Sequence, residues 1–590
     1  MSGDDSTANG GDGTSTFGGN YTNDEDGEAV SDKTGTEDET RKSEPDRLTA
    51  LHDCETVNAT VGANEVHLSM TRERCRELRG ILYPHPEHPH AELGERGVIG
   101  IIMPSTGRNR TTFILRELVI PDPEFEVGDR GDDDPCDIYE EGTGFDKRFW
   151  FDTSYRSRAT DKAAALESDR AGLVYFHTHG PGVGVEPSQP DIDGAERDYR
   201  LHCRHFHDDS PMLKAIVSAS SGTIDRTDEE AYLPEADQLR WHVRSFRPDE
   251  PDEPVRAGAV RVVGPRIEKH PTDILPDGPA GAGGKPQYAA QNSTEQLWGE
   301  PGQQILAGLR VGLVGCGGVG SILSEHIARL GAGEMVVADF DNIEYGNLNR
   351  AQGATETDAR LERSKAEVAG ALAMKSATVD DFEVRVIEGS VIEEDPEDAV
   401  IPALLDCDII VNAADNAWAR TVLDDLSYAH LIPVITGGTI LRMDDSETLS
   451  QSAKSEVMVT GPGHVCMECA YVYNQDDVST AMRPPDVRGD AAYVRGGVDL
   501  NDQSRAPSVI GANATVAGMI EYRLKGLALG VTERVVGVQR HFPRTGLMEW
   551  GPTDECKDSC GRAESDHLGI GDAFDLPTGT DPDLAYHRES

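Results

Sequence analysis

The chain predicts an α/β protein with two globular regions, the second built on a mostly parallel, doubly wound sheet. Three observations carry this. An apolar run, Val311 to Val314, meets a glycine cluster at Gly315, Gly317, Gly318 and Gly320. A helical pattern follows to about Leu330, and then a second apolar run, Met335 to Ala338. Further apolar runs at 383–387, Ile409–Ala413 and Ile432–Thr436 alternate with helical patterns, as a parallel sheet with crossover helices requires. A stretch rich in Pro, Gly and charge, 246–290, separates this region from an earlier one and reads as a linker.

Composition bounds the function. The 590 residues hold 55 Lys+Arg against 106 Asp+Glu, a formal net charge of −51, with 6% aromatic residues. Such a surface repels nucleic acid and anionic membranes, and it fits a high-salt cytoplasm, where repulsion is screened within a few ångströms. No run approaches the roughly 18 apolar residues that span a bilayer. The N-terminus MSGDDSTANGG lacks the basic and apolar regions of a signal peptide. Six of the ten cysteines are scattered singly and four fall in close pairs, unlike a secreted disulfide framework. The expected compartment is the cytoplasm.

Taken in order, residues 1–47 are Gly, Ser, Thr, Asp and Glu with almost no large apolar side chain, and read as a disordered acidic arm. The first globular region covers 50–245. Its strand candidates are Gly97–Met103, Thr112–Ile120, Gly172–Phe176 and Lys214–Ser218, with a helix from Asp191 to about His202. Within the linker, Gly258 to Val263 can still pair as an edge strand. The second globular region covers 291–560, and 561–590 reads as an acidic tail.

Two constellations bear chemistry. The strand ending at Phe176 runs into His177-Thr178-His179, and a Gly/Pro loop later comes Ser188-Gln189-Pro190-Asp191. Histidines at i and i+2 on extended chain point the same way and can bind one metal, with Asp191 as a third ligand. Three protein ligands plus water make a catalytic zinc site. Two surface histidines flanking a turn are the plain alternative for His-x-His alone, and the added Ser-x-x-Asp weighs against it. His85, His88 and His90 look like a second cluster but read as solvated loop histidines.

The combination resembles the JAMM metalloprotease motif over roughly residues 60–245. The resemblance implies an α/β zinc peptidase domain in which His177, His179 and Asp191 bind zinc. Ser188 would hydrogen-bond the catalytic water or oxyanion, and an upstream glutamate would be the general base. Glu95 fits that base best by position, with Glu92 the fallback.

In the second constellation, Asp339 and Asp341 close the strand after the glycine loop. Asn347-Leu348-Asn349-Arg350 follow, then Lys365 in a helix, and Asp415-Asn416 after the strand Ile409–Ala413. A nicotinamide enzyme has no evident need for these cations, whereas an enzyme that adenylates must neutralise a triphosphate and hold magnesium. The set resembles the ThiF/MoeB and ubiquitin-activating family over about residues 291–560. Those enzymes adenylate the C-terminal glycine of a ubiquitin-like or sulphur-carrier protein. By that resemblance Gly315, Gly317, Gly318 and Gly320 form the phosphate loop, and Asp341 binds ribose while Asp339 supports the loop. Asn347, Arg350 and Lys365 contact phosphates, and Asp415 coordinates Mg2+.

Cys466-Met-Glu-Cys469 and Cys556-Lys-Asp-Ser-Cys560 suggest a four-thiolate structural zinc, although one C-x-x-C taken alone also suits redox chemistry. The family carries such a zinc knuckle, usually with two C-x-x-C pairs, and the second pair here has one extra residue. Two departures stand out. No cysteine lies between Cys469 and Cys556 to carry an enzyme-bound thioester, and NSTEQLWGEPGQQ offers none of the arginine that family members place before the glycine loop. Cys316 and Cys407 read as small buried residues.

The expected protein is bifunctional and haloarchaeal: a zinc peptidase cutting at the C-terminal Gly-Gly of a carrier, fused to an ATP- and Mg2+-dependent enzyme that adenylates that carboxylate. The resemblance also implies a homodimer. A nucleotide-sensing regulatory protein with inactive sites is the alternative, and an NAD-dependent oxidoreductase a third reading.

Overall fold

The computed structural model describes residues 65–83, 96–120, 151, 153–166, 170–179, 184–205, 210–219, 239–246, 254–272, 285–286, 288–393, 400–443, 451–484, 508–532, 534–551, 555–563 and 567–589. Residues 1–47, Glu92, Glu95, His85, His88 and His90 lie outside them. Among the described residues no helix is long and apolar enough to cross a membrane.

The N-terminal half is one sheet of eight strands: β1 (Glu65–Thr71), β2 (Gly97–Thr106), β3 (Arg110–Val119), β4 (Gly172–Thr178), β5 (Met212–Ala219), β6 (Leu239–Phe246), β7 (Val255–Val263) and β8 (Ile267–Pro271). The order is β1-β3-β2-β4-β5-β6-β7-β8, and an extra pairing of β1 with β7 closes seven strands into a ring. Residues placed in the linker by composition therefore form β7 and β8. β7 is no edge, since it pairs with β6, β8 and β1. Its apolar alternation, with Ala257, Ala259, Val260, Val262 and Val263 buried, outweighs the Pro, Gly and charge around it. One face of the ring holds Leu68, Met70, Phe176, Trp241 and Val262 under the helix Arg72–Leu82. The other packs Ile99, Ile101 and Tyr175 against the helices Thr153–Ala164 and Gln189–His205.

After the short strand β9 (Lys285–Pro286), the C-terminal half adds β10 (Arg310–Val314), β11 (Glu334–Ala338), β12 (Val379–Asp380), β13 (Glu383–Ile387), β14 (Ile409–Asn412), β15 (Val434–Met443), β16 (Gln451–Thr460), β17 (Gln539–Phe542) and β18 (Leu547–Trp550). β9 and β12 pair with each other, and the rest form a sheet in the order β13-β11-β10-β14-β15-β16-β17-β18. The pairings from β13 to β15 are parallel and those from β15 to β18 antiparallel, so the sheet is mixed, with its parallel part at the glycine loop and an antiparallel extension beyond β15. Helices cover both faces. Gly320–Leu330, Lys365–Ser376 and Ile510–Leu529 pack on one, and Val400–Leu404 with Ala417–Ala429 on the other. Chain order reverses between β10 and β14, which opens a crevice at their C-terminal ends. The stretch read as an acidic tail is partly folded: Asp581 is buried and its carboxylate accepts from Ser390 Oγ at 2.5 Å.

The two halves meet through buried charge. Asp408, at the foot of β14, accepts from Arg110 Nη1, Lys269 Nζ and the Arg310 backbone N–H, each at 3.0 Å, and lies 3.8 Å from Arg261 Nε. Asp406 accepts from the backbone N–H of Arg110 at 3.0 Å and from Arg385 Nη1 at 3.1 Å. Glu65 joins His67, Arg110 and Arg310 at 2.7, 3.1 and 3.4 Å.

His67 gives this junction a pH dependence. Burial, and then the Arg110 charge, push its imidazole down to about 3. The folded state thus binds fewer protons than the unfolded chain between that value and the ordinary 6.5. Stability is fully present above that window and falls as pH drops through it, on the order of a few kcal/mol at most. Melting followed from pH 7 to 4 is expected to show this slope, and His67→Gln, which still donates to Glu65, is expected to flatten it. Equal slopes would remove His67 from the account.

Candidate functional site

The glycine loop sits at the crevice between β10 and β14. Gly315 has φ +88°, and a Cβ there would lie 2.8 Å from the Ala414 nitrogen. A Cβ on Gly320 would lie 1.8 Å from the Gly315 carbonyl oxygen, so the loop folds this tightly only with glycine. Gly317 has open space where its Cβ would be. The open side and the start of the helix Gly320–Leu330 present backbone N–H groups in the manner that suits an anion.

Asp339 lies beneath the loop. Its carboxylate accepts from the Cys316 backbone N–H at 2.6 Å and the Asp341 N–H at 2.8 Å. Burial pushes it up to about 6, with Lys365 opposing and Asp341 adding to the rise. Lys365 Nζ donates to Asp341 at 2.6 Å. Burial alone would lower the Lys365 ammonium, but Asp339 and Asp341, with Asp415 further off, hold it above its ordinary value. A cation so placed stays charged and faces three carboxylates until a phosphate competes for it.

Arg350 folds back on its own loop, donating to the Gly346 carbonyl at 2.6 Å and Asn349 Oδ1 at 3.1 Å. Its Cδ is 3.4 Å from where a Cβ of Gly318 would stand, so it reaches the glycine loop. Asn347 Oδ1 accepts from the Glu344 N–H at 2.9 Å and thereby shapes the turn that carries Arg350. Asp415 is exposed at the end of β14, just before Asn416 caps the helix Ala417–Ala429.

Two neighbours escaped the sequence reading. Asn513 Nδ2, on the helix Ile510–Leu529, stands 2.2 Å from a would-be Cβ of Gly318 and closes over the loop. Arg420, on the helix after Asp415, has its Nε buried with no hydrogen-bond partner. No local motif marks Asn513, nearly the length of the domain away from the glycines. Arg420 carried only its closeness to Asp415-Asn416.

In the N-terminal half, His177, His179 and Asp191 offer ligand atoms all within 4.8 Å of one another. β4 carries His177 and leads directly into His179, and the helix Gln189–His205 brings the aspartate at its first turn. Asp191 lies 3.1 Å from His177 Nε2 and 3.4 Å from His179 Nε2. The Gly184 carbonyl, 2.8 Å from His179 Nδ1, leaves Nε2 of that ring to face the carboxylate. Burial would raise the Asp191 carboxyl, but hydrogen bonds from His177, His179 and Ser188 hold it far below its ordinary range. Burial lowers His177, keeping it neutral and able to ligate. Ser188 donates through its Oγ at 2.6 Å and its backbone N–H at 2.7 Å to Asp191, so in this arrangement it orients the carboxylate. Glu95 lies outside the described residues; its neighbour Arg96 immediately precedes β2, whose Gly97 pairs with His177.

Cys466, Cys469, Cys556 and Cys560 also lie within 4.8 Å of one another, none of them in a disulfide. The Cys466 N–H points to Cys556 Sγ at 3.2 Å and the Cys469 N–H to Cys466 Sγ at 3.3 Å. Burial pushes the Cys560 thiol up to about 11. Four convergent sulphurs, two of them met by backbone N–H, are a donor set that fits a tetrahedral metal.

Residues 288–536 match the ThiF family. A "Sulfur carrier protein ThiS adenylyltransferase" of Bacillus subtilis is 32% identical over 143 residues, 24% of this chain and 40% of that protein. A "SAMP-activating enzyme E1" of Haloferax volcanii is 32% identical over 142 residues, 24% of this chain and 48% of that protein. A "Molybdopterin-synthase adenylyltransferase" of Escherichia coli is 28% identical over 148 residues, 25% of this chain and 56% of that protein. The chain spans about half the length of the curated relatives it matches. A stretch of its C-terminal half is thus similar to the ThiF family and to these adenylyltransferases.

Proposed function

We propose that this protein processes and activates a ubiquitin-like or sulphur-carrier protein ending in Gly-Gly. In the C-terminal half, the carrier's terminal carboxylate attacks the α-phosphorus of ATP. A P–O bond to the carrier forms, the bond to the β-phosphate bridge breaks, and pyrophosphate leaves. The single observation that carries this reading is the gathering of the glycine loop, Lys365, Arg350 and Asp415 at one crevice of a ThiF-type domain. The loop N–H groups and the two cations hold and neutralise the triphosphate, without a covalent step on the enzyme. Asp415 would hold magnesium, which would supply further charge neutralisation there.

The N-terminal half we read as a peptidase that exposes the glycine carboxylate or releases a conjugate. His177, His179 and Asp191 would hold zinc, which supplies an activated water and polarises the peptide carbonyl. Glu95 is assigned to move the water's proton, and Ser188 to keep Asp191 in place through its backbone N–H while its hydroxyl turns to donate to the oxyanion. A second zinc on the four thiols would be structural. The net charge of −51 supports a salt-rich cytoplasm as the setting. We also read the working unit as a homodimer.

The test is exchange of labelled pyrophosphate into ATP in high-salt buffer, with candidate Gly-Gly-ended carriers. Carrier-dependent exchange is expected in the wild type, lost in Asp415→Ala and kept in His177→Ala. Cleavage of a carrier extended past Gly-Gly is expected to follow the reverse pattern and to stop on chelation. Absence of exchange with every carrier would sink the activating half, and cleavage indifferent to His177 would sink the peptidase.

A further inference from the structure

We propose that Arg420 receives the C-terminal carboxylate of the incoming carrier, beside Asp415, while Gly438 leaves room for the carrier's extended glycine tail. This rests on the adenylation reading above and names how its second substrate is recognised. Arg420 sits in the helix Ala417–Ala429, whose first turn is fixed by Asn416 Oδ1 accepting from the Trp418 and Ala419 N–H groups. The side chain forms no ion pair among the described residues, and its Nε is enclosed without a partner. The carboxylates nearest in charge are Asp415, Glu456 and Asp477. Glu456 is taken up by Lys454 at 2.5 Å and Arg540 at 2.7 Å. Asp477 accepts from the Asn474 N–H at 3.1 Å. Neither forms an ion pair with the guanidinium. A half-buried guanidinium left in this state is costly, and an arriving anion relieves the cost.

Position selects the anion. Phosphate donors cluster on the β10 and β11 side, where the glycine loop, Arg350 and Lys365 lie. Arg420 lies across β14 from them and abuts β15, where a Cβ on Gly438 would stand 3.4 Å from its Nη2. A side chain at 438 would come into contact with the fork of the guanidinium. Its absence leaves the approach to a main chain with little side-chain bulk, and the planar fork matches a carboxylate in bidentate geometry.

The test uses a labelled synthetic peptide ending in Gly-Gly, as the free acid and as the C-terminal amide, with anisotropy as the readout. Wild type is expected to bind the acid at least about tenfold tighter than the amide. Arg420→Gln is expected to weaken the acid about 10- to 100-fold, to the level of the amide, with affinity for an ATP analogue changed by less than about twofold. Arg420→Lys is expected to fall between, and its unchanged melting would show that the site still folds. Equal binding of acid and amide by wild type, binding of neither, or parallel loss of peptide and nucleotide in Arg420→Gln would each overturn the proposal. Exchange activity in wild type with acid and amide bound alike would remove Arg420 alone. Acid-selective binding without any exchange would remove the adenylation reading and keep the carboxylate site.

Discussion

Asp408→Ala is expected to lower the unfolding free energy by about 3–5 kcal/mol, the range for breaking a buried ion pair from one side. The carboxylate has no exposed surface and faces Arg110, Arg261 and Lys269. Burial would raise its pKa, yet these cations hold it well below the usual carboxylate range. Removing it strands Arg110 and Arg261, which have almost no exposed surface, together with the partly exposed Lys269. Guanidinium unfolding followed by tryptophan fluorescence reads the loss. Because the cations come from the N-terminal half and the aspartate from the other, the variant is also expected to separate one transition into two. A loss under about 1 kcal/mol would mean that the junction is open to solvent. Asp408→Asn, which keeps the shape and an acceptor, distinguishes lost charge from lost packing.

Lys365→Ala is expected to reduce carrier-dependent pyrophosphate exchange by about 10²- to 10³-fold, the scale of losing one preorganised charge donor at a reacting centre. The effect has a second component in this fold. Lys365 is the cation that restrains Asp339, already pushed up to about 6, and it shares Asp341. Without it the two carboxylates repel, and Asp339 protonates at higher pH. A protonated Asp339 accepts less well from the Cys316 and Asp341 N–H groups that shape the loop. The acid limb of the pH profile is therefore expected to move to higher pH in Lys365→Ala. An unchanged limb would show that Asp339 acts on the loop by shape alone.

The sequence made the local parts of this molecule legible. The glycine loop could be read because strand, turn and helix follow each other directly, and His177, His179 and Asp191 because a strand and the next helix bring them in. The four cysteines were visible as pairs, since each pair spans one short turn. Long-range parts were not. Asp408 reads as one more acid in an acidic chain, and its partners Arg110, Arg261 and Lys269 are far away in sequence. β7 was legible only as an edge strand over Gly258 to Val263, and β8 was hidden by the Pro- and Gly-rich residues around it. The antiparallel extension β15–β18 was missed because a doubly wound pattern says nothing about what is added at its edge. Arg420 was passed over since an arginine in a helix usually faces water.

The ring of the N-terminal half has a bearing on how the molecule comes into being. β1 begins at Glu65, yet the strand that closes the ring against it, β7, begins at Val255. A chain growing from its N-terminus holds β1 with one flank bare until β7 has been made, and both seams are parallel pairings, which close slowly. Glu65 waits longer still, for Arg310 of the other half. Assembly of the first half therefore completes only as the second begins, and an interrupted synthesis leaves strand flanks open to pairing between chains.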